Sequence, residues 1–212
     1  MRNFRDPASG LTHFVGALLA VAGLIALLAR GHATDTFLHT ISFSVFGVSM
    51  FLLYSFSTLY HWLPLRGEKI EFFRKIDHIM IFVFIAASYT PICLITLRGA
   101  WGWSILASVW GFTVVGFFMK LFWMNAPRVL YTFTYVLMGC FGFAAIWPLW
   151  KRMDPLGLAW LLVGGLFYTT GAVIYAFKRP DPWPDLFGFH EIFHLFILCG
   201  SLSHFWMMYH YI

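Results

Sequence analysis

Charged residues are scarce in this chain, and their scarcity argues against a soluble fold. Only 11% of the 212 residues are Asp, Glu, Lys or Arg, whereas 60% are hydrophobic. Soluble domains average about a quarter charged residues. The apolar residues form continuous runs of about 18 or more residues, each long enough to cross a bilayer as a helix. Continuous runs also argue against a membrane β-barrel, which needs alternating segments of about ten residues.

Cysteine is also scarce, and its spacing provides no disulfide or metal motif. Cys93, Cys140 and Cys199 stand singly inside apolar runs, without a CxxC pair, which is typical of small buried hydrophobic residues. The net charge of +5 would suggest a nucleic-acid partner in a soluble protein. Here the basic residues lie in short loops between apolar runs, so we interpret them as topology signals and expect no nucleic-acid binding.

The apolar runs predict an all-α bundle of seven transmembrane helices, with residues 1–212 forming a single membrane domain. Proline and glycine separate the runs, because proline lacks a backbone donor and restricts the residue before it. Pro91 and Pro148 lie inside or near the end of spans, where proline can kink the helix. The predicted helices are Leu11–Ala29, Phe37–Tyr60, Ile79–Leu97, Trp101–Met119, Val129–Leu149, Leu156–Phe177 and Phe189–Tyr211.

Lysine and arginine are distributed unequally over the two faces of this predicted bundle. Ten of the fourteen lie in the N-terminal segment and in the second, fourth and sixth loops, and four lie on the other face. Cytoplasmic loops of membrane proteins carry the excess of Lys and Arg. The distribution therefore predicts a cytoplasmic N-terminus and an extracytoplasmic C-terminus.

Ionisable side chains at membrane depth are costly, so each one is a candidate for function. His61 ends the second predicted helix, Asp77 and His78 begin the third, and His190 and His194 begin the seventh. The predicted topology brings all of them to the cytoplasmic side of the membrane. Residues so far apart in sequence at one depth are expected where helices of a bundle form a binding site.

Three of these histidines can form a metal site. His190 and His194 are four residues apart and face the same way on a helix, and His61 supplies a third ligand. A fourth position would stay open for water, which zinc can activate by lowering its pKa to about 7. Asp77 can then orient or deprotonate that water, and Ser57, one turn before His61, can hydrogen-bond it. We therefore predict zinc on the histidines and catalytic roles for Asp77 and Ser57.

The segment His190–His194 also fits the metalloprotease pattern H-E-x-x-H, with Glu191 as the general base. This alternative is weaker, because the third ligand still has to come from His61 or Asp77. The second acidic motif expected of an intramembrane protease is absent from the other helices. Glu191 instead suits the start of a helix, where a negative charge meets the positive end of the helix dipole.

Five short motifs occur in order along the chain, and together they resemble a known family. They are S-G-L-T-H at Ser9–His13, S-T-L-Y-H at Ser57–His61, K-I-D-H at Lys75–His78, A-S-Y-T-P at Ala87–Pro91 and H-E-I-F-H at His190–His194. The chain resembles the bacterial hemolysin III-type members of the progestin and adipoQ receptor family over essentially its whole length.

The resemblance implies a seven-helix fold with a cytoplasmic N-terminus, integral to the bacterial inner (plasma) membrane. It implies zinc near the cytoplasmic side, with ligands that map onto His61, His190 and His194, and with Asp77 and Ser57 at the family's aspartate and serine positions. Related proteins include ceramide amidases, and the wider superfamily is proposed to consist of metal-dependent lipid hydrolases. The chain lacks the long N-terminal domain of adiponectin receptors, so a hormone-receptor role is not expected.

Three functions follow as hypotheses. The first is a zinc-dependent, ceramidase-like hydrolase that acts on a lipid amide or ester and contributes to fatty acid homeostasis of the membrane. The second is a non-enzymatic regulator or receptor-like protein in which zinc is structural. The third is a pore-forming cytolysin, which is disfavoured because the predicted spans are apolar nearly all round. The expected partners are membrane lipids or fatty acyl chains, and the sequence fixes no oligomeric state.

Overall fold

The computed structural model describes residues 4–33, 37–184 and 186–212, and this part of the chain is helical without a β-strand. Most of these residues belong to α-helices, and a π-helical segment, Ile92–Leu97, continues the third of them. The α-helices are α1 Pro7–Ala33, α2 Phe37–Trp62, α3 Glu68–Pro91, α4 Gly99–Phe122, α5 Arg128–Ala144, α6 Ile146–Arg152, α7 Pro155–Phe177 and α8 Phe189–Tyr211.

Six of these helical stretches are long and apolar enough to cross a membrane. They are α1, α2, α3 with its π-helical extension, α4, α7 and α8. The number rises to seven if α5 and α6, which meet at an angle of 51°, form one bent span. Their length and composition confirm the predicted all-helical membrane protein.

The break between α5 and α6 divides a segment for which the sequence predicts one helix, Val129–Leu149. Pro148 has no backbone N–H and therefore cannot donate to the carbonyl of Ala144, four residues earlier. At this point a backbone hydrogen bond spans three residues instead of four, because the Ala145 N–H donates to the Gly142 carbonyl at 3.0 Å. The bend thus follows from a proline that the sequence identified as a possible kink.

The third helix starts at Glu68, eleven residues before the predicted start at Ile79. It follows Gly67, whose positive φ of 59° suits glycine. The first turn carries Glu68 and Glu71, whose charges favour a helix N-terminus. The charged stretch before Ile79 was predicted to be a loop, but it forms the first turns of the helix. Asp77 therefore lies inside α3 and does not begin it.

Small residues allow α1 to pack closely against α2 near one end of the bundle. A Cβ on Gly10 would lie 2.0 Å from Cδ1 of Trp62, and one on Gly47 would lie 2.9 Å from Cβ of Leu24. The Trp62 indole N–H also donates to the Pro7 carbonyl at 3.2 Å. These contacts fix the start of α1 beside the end of α2, where His61 lies.

Candidate metal centre

His61, His190 and His194 come together although they lie on two helices far apart in sequence. One side-chain nitrogen of each lies within 4.8 Å of those of the other two. Nε2 of His61 is 3.2 Å from Nε2 of His190. His61 lies in the last turn of α2, and the other two follow each other by one turn at the start of α8. The structure thus brings together the three histidines that the sequence predicted as ligands.

The other ring nitrogen of His61 has a carboxylate partner. Nδ1 of His61 lies 3.1 Å from Oδ2 of Asp6, the residue that precedes α1. The hydrogen bond with His61 lowers the pKa of the Asp6 carboxyl to about 2, against the opposing effect of burial, and Arg5 lowers it further. An ionised carboxylate only accepts hydrogen bonds. In the neutral ring of His61 the proton therefore lies on Nδ1, and Nε2 carries the lone pair.

His194 is held in the same way by the first turns of α1. Its Nδ1 lies 3.2 Å from the Ser9 carbonyl oxygen and 3.1 Å from Oγ1 of Thr12. The Thr12 hydroxyl itself donates to the Ser9 carbonyl at 2.7 Å. The ring of His13 stacks on that of His194, with centroids 3.6 Å apart and planes 9° apart. Since a carbonyl can only accept, Nδ1 of His194 donates and Nε2 is free to bind a metal.

This donor set fits a zinc ion. Zinc bonds imidazole nitrogen at about 2.0–2.1 Å and favours tetrahedral sites with three protein ligands and an open position in enzymes. The separation of 3.2 Å between Nε2 of His61 and Nε2 of His190 suits two ligands on one such ion. Metal-bound histidines also give their second nitrogen to a carboxylate or carbonyl, as His61 and His194 do here.

Ser57 and Asp77 lie on the wall of the same cavity as the three histidines. Ser57 is buried on α2, one turn before His61, and Asp77 is 9% exposed on α3. Oδ2 of Asp77 lies 3.5 Å from Nδ1 of His78. His78 gives its Nδ1 to the Arg74 carbonyl at 2.8 Å. The catalytic roles of Ser57 and Asp77 stay predictions.

The cavity has a volume of about 1010 Å³ and extends from the histidines along the bundle. It follows α3 and its π-helical extension from Asp77 to Leu97, a distance of about 30 Å at the rise of a helix. Several lining residues are also exposed on the outside of α5 and α7, among them Phe143 at 64% and Leu166 at 67%. Exposed residues of α5 and α7 thus form part of the cavity wall.

Glu191 takes a structural position in this arrangement. Its Oε2 accepts from the Gly188 backbone N–H at 2.8 Å and caps the start of α8, and its Oε1 accepts from the Ser9 hydroxyl. Both oxygens are thus bound to donors that fix α8 and α1. These bonds disfavour Glu191 as a general base and agree with the prediction that its charge belongs at the helix start.

The sequence did not reveal that the start of α1 and the residue before it supply hydrogen-bond partners at this site. Asp6, Ser9 and Thr12 supply hydrogen-bond partners to two of the histidines. The motif at Ser9–His13 was recognised as part of the family resemblance, but its residues received no role. The available signal was an aspartate beside a proline that starts an apolar helix. Only the packing of α1 against α2 and α8 shows what that aspartate contacts.

Comparison with known proteins shows the family to which the chain belongs. The profile of the family described as "Haemolysin-III related" matches residues 1–205. "Hemolysin-3" of Bacillus cereus is 38% identical over 97% of this chain and 90% of its own length. The "Hemolysin-3 homolog" of Bacillus subtilis (strain 168) is 34% identical over 96% of this chain and 92% of its own. "Monocyte to macrophage differentiation factor" of Homo sapiens is 25% identical over 99% and 91%.

These matches cover nearly the whole chain, and they confirm the resemblance that the five motifs indicated. The apolar helices and the bacterial relatives identify an integral membrane protein of the bacterial inner membrane. The chain belongs to the haemolysin-III related family, which is related to the progestin and adipoQ receptor proteins.

Proposed function

We propose that this chain is a zinc-dependent hydrolase that cleaves an amide or ester bond of a membrane lipid and thereby contributes to membrane lipid homeostasis. One observation carries the proposal: three histidines, two of them with their second nitrogens hydrogen-bonded, meet on the wall of a cavity that is also lined by exposed residues of α5 and α7. Such a cavity suits a substrate that enters from the bilayer, with its acyl chain along the apolar wall and its polar bond near the histidines.

Zinc on three imidazoles would supply a Lewis acid and a water of lowered pKa. His61, His190 and His194 would hold it through neutral rings. Asp77 would accept a proton at its carboxylate and return it to the leaving group, a role worth about 10²- to 10⁴-fold in rate. Ser57 would donate a hydrogen bond to the developing oxyanion, a contribution of about 3 kcal/mol. The apolar lining would keep bulk water from the acyl chain.

We also propose that α5 and α6 form one bent span, which gives seven spans with a cytoplasmic N-terminus. An odd number of spans puts the termini on opposite sides, and the excess of Lys and Arg on the N-terminal face supports that side as cytoplasmic. The histidine cluster then lies near the cytoplasmic surface, because His61 ends α2 and His190 begins α8 on that face.

The experiment is a lipid hydrolysis assay on purified protein of known zinc content. Protein with one zinc per chain should release fatty acid from ceramides or phospholipids. Chelation should abolish the release, and added zinc should restore it. One bound zinc with no turnover on any lipid class would contradict the hydrolase and favour a non-enzymatic regulator with structural zinc. Absence of bound zinc would contradict both.

A further inference from the structure

Asp6 occupies a special position among the acidic residues of the chain. Within residues 4–33, 37–184 and 186–212, it is the one carboxylate that hydrogen-bonds any of the three clustered histidines. Its other side-chain partner is Arg5, whose Nε lies 3.0 Å from the same oxygen. Asp77 contacts His78 instead, and Glu191 contacts Ser9 and Gly188.

The backbone fixes where the Asp6 side chain lies. The Asp6 N–H donates to the His61 carbonyl at 2.9 Å, so main chain and side chain both bind the same histidine. The next residue, Pro7, accepts from the Trp62 indole at 3.2 Å and starts α1. Two consecutive residues are therefore tied to the end of α2, and the carboxylate needs little further ordering to reach Nδ1.

From this geometry we propose that Asp6 is a positioning residue for the metal: it holds His61 in the Nδ1–H tautomer with Nε2 directed at His190. A carboxylate in this position fixes the ring and strengthens the other nitrogen as a ligand. His194 obtains the same tautomer from the neutral Ser9 carbonyl. His61 is thus the ligand whose hydrogen-bond partner is charged. The segment from Asp6 to Thr12 orients two of the ligands and supplies no ligand itself. This inference rests on the proposed zinc site.

The test measures zinc affinity by competition with a fluorescent chelator in detergent-solubilised protein. Asp6→Asn keeps the shape of the side chain and removes its charge, and we expect about a 10- to 100-fold loss of affinity. Arg5→Gln removes the ion pair with Asp6 but leaves the bond to His61, and we expect a change below about threefold. Equal affinity in Asp6→Asn and the unmodified protein would overturn the proposal, as would an equal loss in Arg5→Gln.

A second, size-matched pair covers the case in which Asp6→Asn does not fold. Asp6→Glu and Asp6→Gln extend the side chain equally and differ in charge. Asp6→Glu should therefore bind zinc about tenfold more tightly than Asp6→Gln. Cobalt(II) in the site gives a visible spectrum that reports coordination geometry, and its bands should shift in Asp6→Gln more than in Asp6→Glu. Identical affinities and spectra would overturn the proposal. Because these readouts need no turnover, a protein that binds zinc but hydrolyses no lipid refutes the hydrolase alone.

Discussion

Each clustered histidine takes its orientation from contacts that sequence spacing cannot show. The spacing of His190 and His194 predicted a shared face, and the depth of His61 predicted a third ligand. The acceptors on their second nitrogens were not predictable, because Asp6 and Ser9 reach them only when α1 packs between α2 and α8. The spacing of two ligands on one helix can be read from the sequence, whereas the hydrogen-bond partners of the ligands depend on how the helices pack.

The ligand assignment predicts a difference between two histidines of the same helix. His194→Gln should lower zinc affinity by more than about 100-fold, because loss of a ligand exceeds the effect of losing its hydrogen-bond partner. His210→Gln is the control, since His210 is exposed in the last turn of α8. Metal analysis after gel filtration should find zinc with His210→Gln and little with His194→Gln. Equal zinc in both proteins would remove His194 from the site.

Helix boundaries differ from the predicted ones where charge or proline makes the sequence ambiguous. The stretch before Ile79 has the polarity of a loop, but Glu68 and Glu71 stabilise a helix start. Pro91 was predicted to kink its span, and a π-helical segment follows it directly. The sequence thus predicted where the apolar helices lie, but hydropathy did not show how their ends continue.

The π-helical segment depends on a close approach by α4. A Cβ on Gly102 would lie 2.2 Å from the Cys93 carbonyl oxygen, whereas a Cβ on Gly111 would have no neighbour within 4 Å. Gly102→Ala should therefore cost about 1–3 kcal/mol and lower the unfolding temperature. Gly111→Ala on the same helix should be neutral or stabilising by up to about 1 kcal/mol. Thermal unfolding in detergent measures both, and equal midpoints would contradict the packing described.

At the scale of the whole molecule, the apolar runs predicted the bundle but not its cavity. The cavity lies where the packing of α3, α5, α7 and α8 leaves space unfilled. The sequence of a single helix does not show this space. Its lining is ordinary span sequence, so Phe143 and Leu166 look like any lipid-facing residues. The structure supplies the space, and the substrate stays a proposal.

If the lipid substrate enters between α5 and α7, a bulky side chain there should block its entry without contacting the metal. Gly139 lies on α5, lines the cavity and has no neighbour within 4 Å of an added Cβ. Gly139→Trp should lower turnover of long-chain lipids by at least about tenfold while zinc content stays at that of the unmodified protein. Gly111→Trp is the control, because Gly111 is equally open but lies on α4 outside the cavity lining. An equal effect of both substitutions would argue against entry between α5 and α7.

The proposed orientation of the bundle is tested by where introduced cysteines react. In a chain whose native cysteines are replaced by alanine, Arg66→Cys should be protected from a membrane-impermeant thiol reagent in intact cells. Asp154→Cys should react with it, because it follows α6 on the opposite face. Permeabilised cells provide the control, in which both should react. The reverse labelling would contradict the cytoplasmic N-terminus.

The proposed lipid hydrolysis requires both Asp77 and zinc. The most direct measurement compares fatty acid release by the unmodified protein and by Asp77→Asn, both adjusted to one zinc per chain. Asp77→Asn should keep its zinc and lose about 10²- to 10⁴-fold in kcat, if Asp77 transfers the proton. Equal release by the two proteins at equal zinc content would contradict it.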